Sequence, residues 1–255
     1  LVEYSSQKCL EAWRQKVEVA TNSPQVALKC RSVPECITIL QEHKIPINDL
    51  PFLQYFNLWR HMSEVKELAK SPKMASAAAQ LLDVPSVKLY QDSLFHKRQG
   101  DGATPWHSDA RMAPFDTSHL ITFWIPLQTI PRGGSALVFV DKSHSDFALP
   151  YWNGFEGDEY HRLEERYGGE KAVRDHMPLQ LGDVTVHAGW TLHCASGCDD
   201  HDDRYALAIS YVDAKAEVRR DVNYNSGTGG NYGDNEDRQS FEYWIGDVKP
   251  RCQFE

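Results

Sequence analysis

At 255 residues the chain is long enough to bury a substantial core, and all-β barrels of this length are often one domain. Its 36 acidic against 27 basic residues leave a formal charge of −9, which argues against an electrostatic nucleic-acid binder, because phosphate neutralisation needs clustered Lys and Arg. The longest apolar runs, such as Ile121 to Leu127, fall far short of the roughly 20 residues that cross a bilayer, so a soluble protein with no membrane partner is expected.

The N-terminus, Leu1-Val2-Glu3-Tyr4, has neither a starting Met nor an apolar signal core, so the chain reads as trimmed and an original organellar targeting peptide would be invisible. Apolar residues recur at three and four positions over Gln7 to Val19 and Val33 to Glu42, with Asn22-Ser23-Pro24 and Ser32-Val33-Pro34 as breaks; both stretches predict helices. The same period predicts helices over Phe52 to Ala69 and Pro72 to Leu82, the second with Ser71 as cap and Pro72 in its first turn.

From Val87 the texture changes to short runs rich in β-branched and aromatic residues: Val87 to Tyr90, Leu120 to Leu127, Ala136 to Val140, Val184 to His187 and Tyr205 to Val212. Gly, Pro and Asp clusters separate them, which suggests a sandwich or barrel rather than a parallel α/β sheet. Asn225 to Arg238, rich in Gly, Asn and acidic residues, has no periodicity and reads as a surface loop. The six cysteines, at 9, 30, 36, 194, 198 and 252, have no disulfide-framework spacing, so reduced thiols in an intracellular compartment, the cytoplasm by default, are expected. A zinc site at Cys194, Cys198 and His193 would still need a fourth ligand.

A mononuclear iron(II) site of the facial type needs two neutral imidazoles and one carboxylate on one side of the ion, leaving the other positions open. His-x-Asp followed by a distant His is its sequence form. Three such triplets occur, His107-Ser108-Asp109, His144-Ser145-Asp146 and His201-Asp202-Asp203, where composition alone supplies about one by accident. His201 lies in a charged tract that reads as a solvated turn. His144 and Asp146 follow a strand and turn and stay possible ligands, without a supporting arginine. His107 and Asp109, in a loop just ahead of the strand at Leu120, are favoured. His193 precedes Arg204 by eleven residues, and a hairpin of that length would return Arg204 to its neighbourhood. Along that strand Arg204, Ala206, Ala208 and Ser210 alternate with Tyr205, Leu207, Ile209 and Tyr211, so Arg204 shares a face with small residues. A guanidinium there can grip a carboxylate bidentately; the bland alternative is a surface arginine paired with nearby aspartates.

The ordered series Phe56-Asn57-Leu58-Trp59-Arg60, Leu89-Tyr90-Gln91-Asp92-Ser93-Leu94-Phe95, Pro105-Trp106-His107-Ser108-Asp109, Phe123-Trp124-Ile125-Pro126-Leu127, Gly134-Ser135-Ala136-Leu137, Ser143-His144 and Gly182-Asp183-Val184 resembles the phytanoyl-CoA dioxygenase family of iron(II)/2-oxoglutarate oxygenases. The resemblance implies a mainly β fold with α, a double-stranded β-helix (jelly-roll, cupin-like) core under an N-terminal helical layer. One catalytic domain over 1–255 is then expected, with the helical layer over 1–85, the jelly roll over 86–220, and a C-terminal loop and tail over 221–255. It implies Fe(II) on His107, Asp109 and His193, with 2-oxoglutarate and O2 as cosubstrates and Arg204 on the distal carboxylate of 2-oxoglutarate. Gln91 and Lys97 match cavity-facing polar positions, and Trp124, sharing a face with Thr122, matches a tryptophan beside the cosubstrate. Where many relatives have Ser two residues after the distal His this chain has Ala195, so that hydrogen bond is missing or comes from Thr122 or another group. His144 becomes structural, in a turn that reads Lys142-Ser143-His144 without the usual glycine, and so does His187, whose spacing to Arg204 is too long.

The implied reaction is oxidation, most simply hydroxylation, of an unactivated C–H with release of succinate and carbon dioxide; Asp109 argues against halide transfer. A small-molecule substrate is expected, and the basic residues Lys97, Arg98, Arg111, Arg219 and Arg220 favour an anionic one. The protein itself is expected to be a monomer or weak homo-oligomer. A non-catalytic ligand-binding or metal-binding jelly roll, and a metal-dependent hydrolase or isomerase on the same ligands, are the alternatives.

Overall fold

The computed structural model describes residues 52–60, 62–113, 115–146, 167, 172–198 and 203–217. The helices expected over Gln7 to Val19 and Val33 to Glu42, the loop Asn225 to Arg238, and His201 lie outside these residues.

The first described segment departs from the expected helix over Phe52 to Ala69. It opens with a strand, β1 (Leu53–Phe56), then a 3-10 turn (Leu58–Arg60), and only then helix α1 (Ser63–Ala69). The apolar spacing served a strand instead: Leu53 and Tyr55 are buried on one face, and Gln54 reaches Ser93 from the other. The turn is held by Asp92, whose carboxylate accepts from the backbone N–H groups of Leu58 and Trp59 at 3.0 and 3.1 Å. Helix α2 (Pro72–Leu82) forms as expected, with Pro72 in its first turn. Ser71 occupies the cap position in extended conformation, but its side chain makes no capping bond.

The strands follow: β2 (Val87–Lys97), β3 (Thr104–His107), one helical turn α3 (Asp109–Met112), β4 (Leu120–Pro126), β5 (Leu137–Val140), β6 (Val173–Asp175), β7 (Thr185–Ala188), β8 (His193–Ala195) and β9 (Arg204–Asp213). Two antiparallel sheets result, ordered β1-β2-β9-β4-β7 and β3-β8-β5-β6. This is the double-stranded β-helix expected. Since β8 pairs with β3 and β5 while β9 pairs with β2 and β4, His193 and Arg204 are joined by a crossover between sheets and not by the expected hairpin.

Strand alternation sorts the core into two layers. One face of the five-stranded sheet carries Leu94, Ile121, Phe123, Ile125, Leu207, Ile209 and Tyr211, which bury against Val65 and Leu68 of α1 and Met74 and Ala78 of α2. The Tyr211 hydroxyl donates to the Ala69 carbonyl at 2.7 Å, tying the end of α1 to β9. The opposite face presents Trp124, Ala206 and Ala208 to Leu137, Phe139 and Ala195 of the second sheet. That inter-sheet layer is the one the polar residues enter. Among the described residues no helix is long and apolar enough to cross a membrane.

Candidate active site

His107 ends β3, which pairs with β8 so that His107 lies opposite His193. Asp109 opens α3, and this turn is pinned from below: Ala110 N–H donates to the Gly189 carbonyl at 2.8 Å, and Gly189 N–H to Leu120 at 2.7 Å. A Cβ on Gly189 would sit 2.8 Å from Leu120 Cδ2 and 3.0 Å from Ala110 Cβ, so only glycine lets the two segments approach this closely.

His107, Asp109 and His193 thereby converge. One ligand atom from each lies within 4.8 Å of the others, the one such group among the described residues. Nε2 of His107 and of His193 stand 3.8 and 3.7 Å from Asp109 Oδ1. Two atoms each bound to one ion at about 2.1 Å are at most about 4.2 Å apart, so the spacing suits a first-row metal. The His193 Nδ1–H donates to the Thr191 carbonyl at 2.9 Å, which leaves the Nε2 lone pair free for coordination. Burial, then the neighbouring His107 and His187, hold His193 well below the usual imidazole range, in the neutral form a ligand needs. Burial works against ionisation of Asp109, but His193, His187 and His107 outweigh it and hold its carboxyl far below the usual range. The His193 side chain is 4 % exposed against 28 % for His107 and 23 % for Asp109, so the site opens on the side of that pair.

Toward the closed end of the same layer lies Arg204, 4 % exposed. Its Nη2 donates to Ser135 Oγ at 3.2 Å, its guanidinium carbon is 5.5 Å from the Trp124 ring centroid, and Nε and Nη1 have no partner. This rules out the surface arginine paired with aspartates: Asp203 turns away, to His96 at 2.7 Å. Lys97, opposite Arg204 in the β2–β9 register, is fully buried and donates to the Ser196 carbonyl at 2.6 Å. Burial, then Arg204, pushes its ammonium down to about 7, while burial alone brings Arg204 down only to about 10. A buried arginine and a buried lysine without a carboxylate partner among the described residues favour an incoming anion, beside which the lysine also holds its proton more firmly.

The remaining expected residues sit as follows. Gln91 is half-buried on this face, opposite Ser210. The Thr122 hydroxyl donates to Asp109 Oδ2 at 2.7 Å and contacts Ser210 Oγ at 2.9 Å, so its hydrogen is committed to the carboxylate. Trp124 is buried between Arg204 and the inter-sheet layer. Of the basic residues that favoured an anionic substrate, Lys97 points inward and Arg98 is paired with Asp101 at 2.7 Å; 219–220 lie outside the described residues. His144 belongs to a 3-10 turn behind Lys142, which takes φ 64°, the left-handed conformation that suits the glycine the resemblance implied there. Cys194 and Cys198 form no disulfide among the described residues. Ser135, in the Gly134-Ser135-Ala136-Leu137 stretch, has a role that no sequence signal showed. Its donation to the Ser196 carbonyl at 2.6 Å, while it accepts from Arg204, follows from the tight Gly134-Ser135 turn before β5.

The sequence profile of the phytanoyl-CoA dioxygenase (PhyH) family matches residues 46–204. The chain belongs to that family. No curated protein matches it. Among solved structures, the non-heme alpha ketoglutarate dependent epimerase SnoN from nogalamycin biosynthesis is 23% identical with a TM-score of 0.52, over 66% of this chain and 64% of SnoN. The chain thus spans just under two thirds of SnoN. The carbocyclase SnoK of the same biosynthesis is 19% identical with a TM-score of 0.62, over 86% and 81%. EctD from S. alaskensis, solved with 2-oxoglutarate and 5-hydroxyectoine, is 15% identical with a TM-score of 0.59, over 78% and 66%. At these identities the likenesses are of fold alone.

Proposed function

We propose that this PhyH-family chain is an Fe(II)- and 2-oxoglutarate-dependent dioxygenase that oxidises, most simply hydroxylates, an unactivated C–H of a small molecule, releasing succinate and carbon dioxide. One observation carries the reading: a two-imidazole, one-carboxylate cluster shares an inter-sheet layer with a buried arginine whose Nε and Nη1 lack partners. The donor set fits iron(II), and the orphaned guanidinium fits the far carboxylate of a diacid. Iron(II) with 2-oxoglutarate supplies the oxidising chemistry, one atom of dioxygen passing to succinate and the other to the substrate.

The chain's own residues supply placement. His107, Asp109 and His193 hold the ion; Arg204, aided by Lys97, orients the diacid, and Trp124 walls one side of it. The small side chains of Ala206 and Ala208 leave room along β9, and the surrounding apolar layer keeps water out. The substrate is recognised on the exposed side of His107 and Asp109.

Anaerobic titration of the Fe(II)-loaded protein with 2-oxoglutarate tests this. A weak visible charge-transfer band that saturates at one equivalent is expected, absent from His193→Ala and displaced to at least about 100-fold higher 2-oxoglutarate in Arg204→Ala. No band in the wild-type protein, or an Arg204→Ala titration that matches it, would overturn the reading.

A further inference from the structure

Three imidazoles, not two, surround the Asp109 carboxylate. His187 of β7, its side chain 2 % exposed, places Nε2 3.1 Å from Asp109 Oδ2, and its ring lies 4.3 Å from that of His193. The two carboxylate oxygens are divided between two tasks. Oδ1 faces Nε2 of His107 and His193, while Oδ2 takes the Thr122 hydroxyl at 2.7 Å and His187 at 3.1 Å.

Hydrogen-bond chemistry assigns the partners. An ionised carboxylate only accepts, so the shared hydrogens lie on His187 Nε2 and on Thr122 Oγ1; Ser210 in turn donates to Thr122 at 2.9 Å. A nitrogen that carries this hydrogen has no lone pair for a metal, which separates His187 from His193, whose hydrogen is on Nδ1. His187 Nδ1 is buried without a partner. Packing against Phe139, 5.4 Å away, would be met equally by an apolar ring, so filling space does not account for an imidazole here.

We propose that His187 is a positioning residue for the metal centre: together with Thr122 it pins Oδ2, so that Asp109 offers the metal Oδ1 alone. This rests on the metal-centre reading above. A carboxylate that offered a metal one oxygen would leave more of its coordination positions open, for a chelating diacid and a further ligand, than one that offered both. A carboxylate free to rotate and bind through both oxygens would close one of these.

Cobalt(II) titration of the protein, followed by visible absorption, tests the proposal without turnover. The wild-type chain is expected to bind one Co(II) with a d–d spectrum of its own. His187→Leu is expected to weaken Co(II) binding about 10- to 100-fold and to change the band intensity as Oδ2 reaches the metal. His187→Gln, whose amide N–H can meet the same oxygen, is expected to restore the wild-type spectrum and an affinity within about threefold. An unchanged affinity and spectrum in His187→Leu would overturn the proposal, and so would a His187→Gln spectrum like that of the leucine variant, which would make the ring itself the requirement. Should His187→Leu fail to fold, Thr122→Val keeps the side-chain shape and removes the other hydrogen on Oδ2; it must move the spectrum in the same direction, and an unmoved one overturns the proposal. A wild-type protein that binds no Co(II) removes the metal centre and this proposal with it, whereas failure of the variants alone leaves the metal centre standing.

Discussion

Arg204 carries its charge into the core at a cost that nothing in the ligand-free chain fully offsets, since only Nη2 has a partner. Its pKa of about 10 keeps it charged at neutral pH, so the desolvation cost is borne by the folded state. Arg204→Met, similar in volume and without charge, is therefore expected to stabilise the ligand-free protein by about 1–3 kcal/mol while abolishing the response to 2-oxoglutarate. Denaturant unfolding with and without the diacid measures both; a destabilised Met variant would mean that the guanidinium is better satisfied than its contacts indicate. Lys97 adds a pH dependence. Burial, then Arg204, lowers it to about 7, and a carboxylate bound beside it raises it again. Binding then takes up a proton, so 2-oxoglutarate affinity falls as pH rises above 7, and titration calorimetry in buffers of different ionisation enthalpy shows uptake that Lys97→Met removes. For folding the sign is opposite: the unfolded chain, with an ordinary lysine, holds more protons between pH 7 and 10.5, so this group makes stability rise with pH across that window.

At the scale of elements, close backbone approach sets the site. Gly189→Ala forces its Cβ against Leu120 and Ala110: Leu120 Cδ2, at 2.8 Å, can swing aside, but the Cβ atoms of Leu120 and Ala110, both at 3.0 Å, cannot. A loss of about 1–3 kcal/mol is expected, with weaker metal binding because the Ala110 to Gly189 hydrogen bond holds the turn that starts at Asp109. Tyr211→Phe loses only the tie to Ala69 on the far face of the same sheet, so a cost of about 1 kcal/mol with unchanged metal affinity is expected from thermal unfolding and Co(II) titration. The same elements mark how far the sequence could be read. The alternation of β9 is legible because one face meets helices and the other the second sheet and the candidate site, which separates large from small side chains. β2 was read only to Tyr90, because Asp92 and Ser93 break the apolar pattern; both are buried on polar partners, the two N–H groups of the 3-10 turn and Gln54. β3 and β8, of four and three residues, are too short to show a period. They hold His107 and His193, which motif spacing found and periodicity did not. The distance of His187 from Arg204 along the chain hides it from motif spacing, although period-two alternation in β7 puts it on the face of Thr122.

Across the whole molecule the charge is arranged against its average. A chain of net charge −9 keeps a buried arginine and a buried lysine at the closed end of the inter-sheet layer and one carboxylate among three imidazoles nearer the opening. On the proposed function, metal and diacid would each relieve a different strain in this arrangement, and because the candidate metal ligands come from β3, α3 and β8 while Arg204 comes from β9, occupancy of both would tie the two sheets together. Ligands that bind only the folded state stabilise it by about 2.7 kcal/mol at a hundredfold excess over Kd. For a domain of this size that corresponds to a rise of roughly 5–10 °C in Tm. Thermal unfolding with Co(II), with 2-oxoglutarate, and with both should show a gain from the pair that exceeds the sum of the single gains, since the chelating end of the diacid needs the metal. His193→Ala should lose the metal gain and the excess. Arg204→Met should keep the metal gain and lose the rest. Equal and additive gains in all three proteins would mean that the ligands bind elsewhere, and that the two halves of the inter-sheet layer do not form one site.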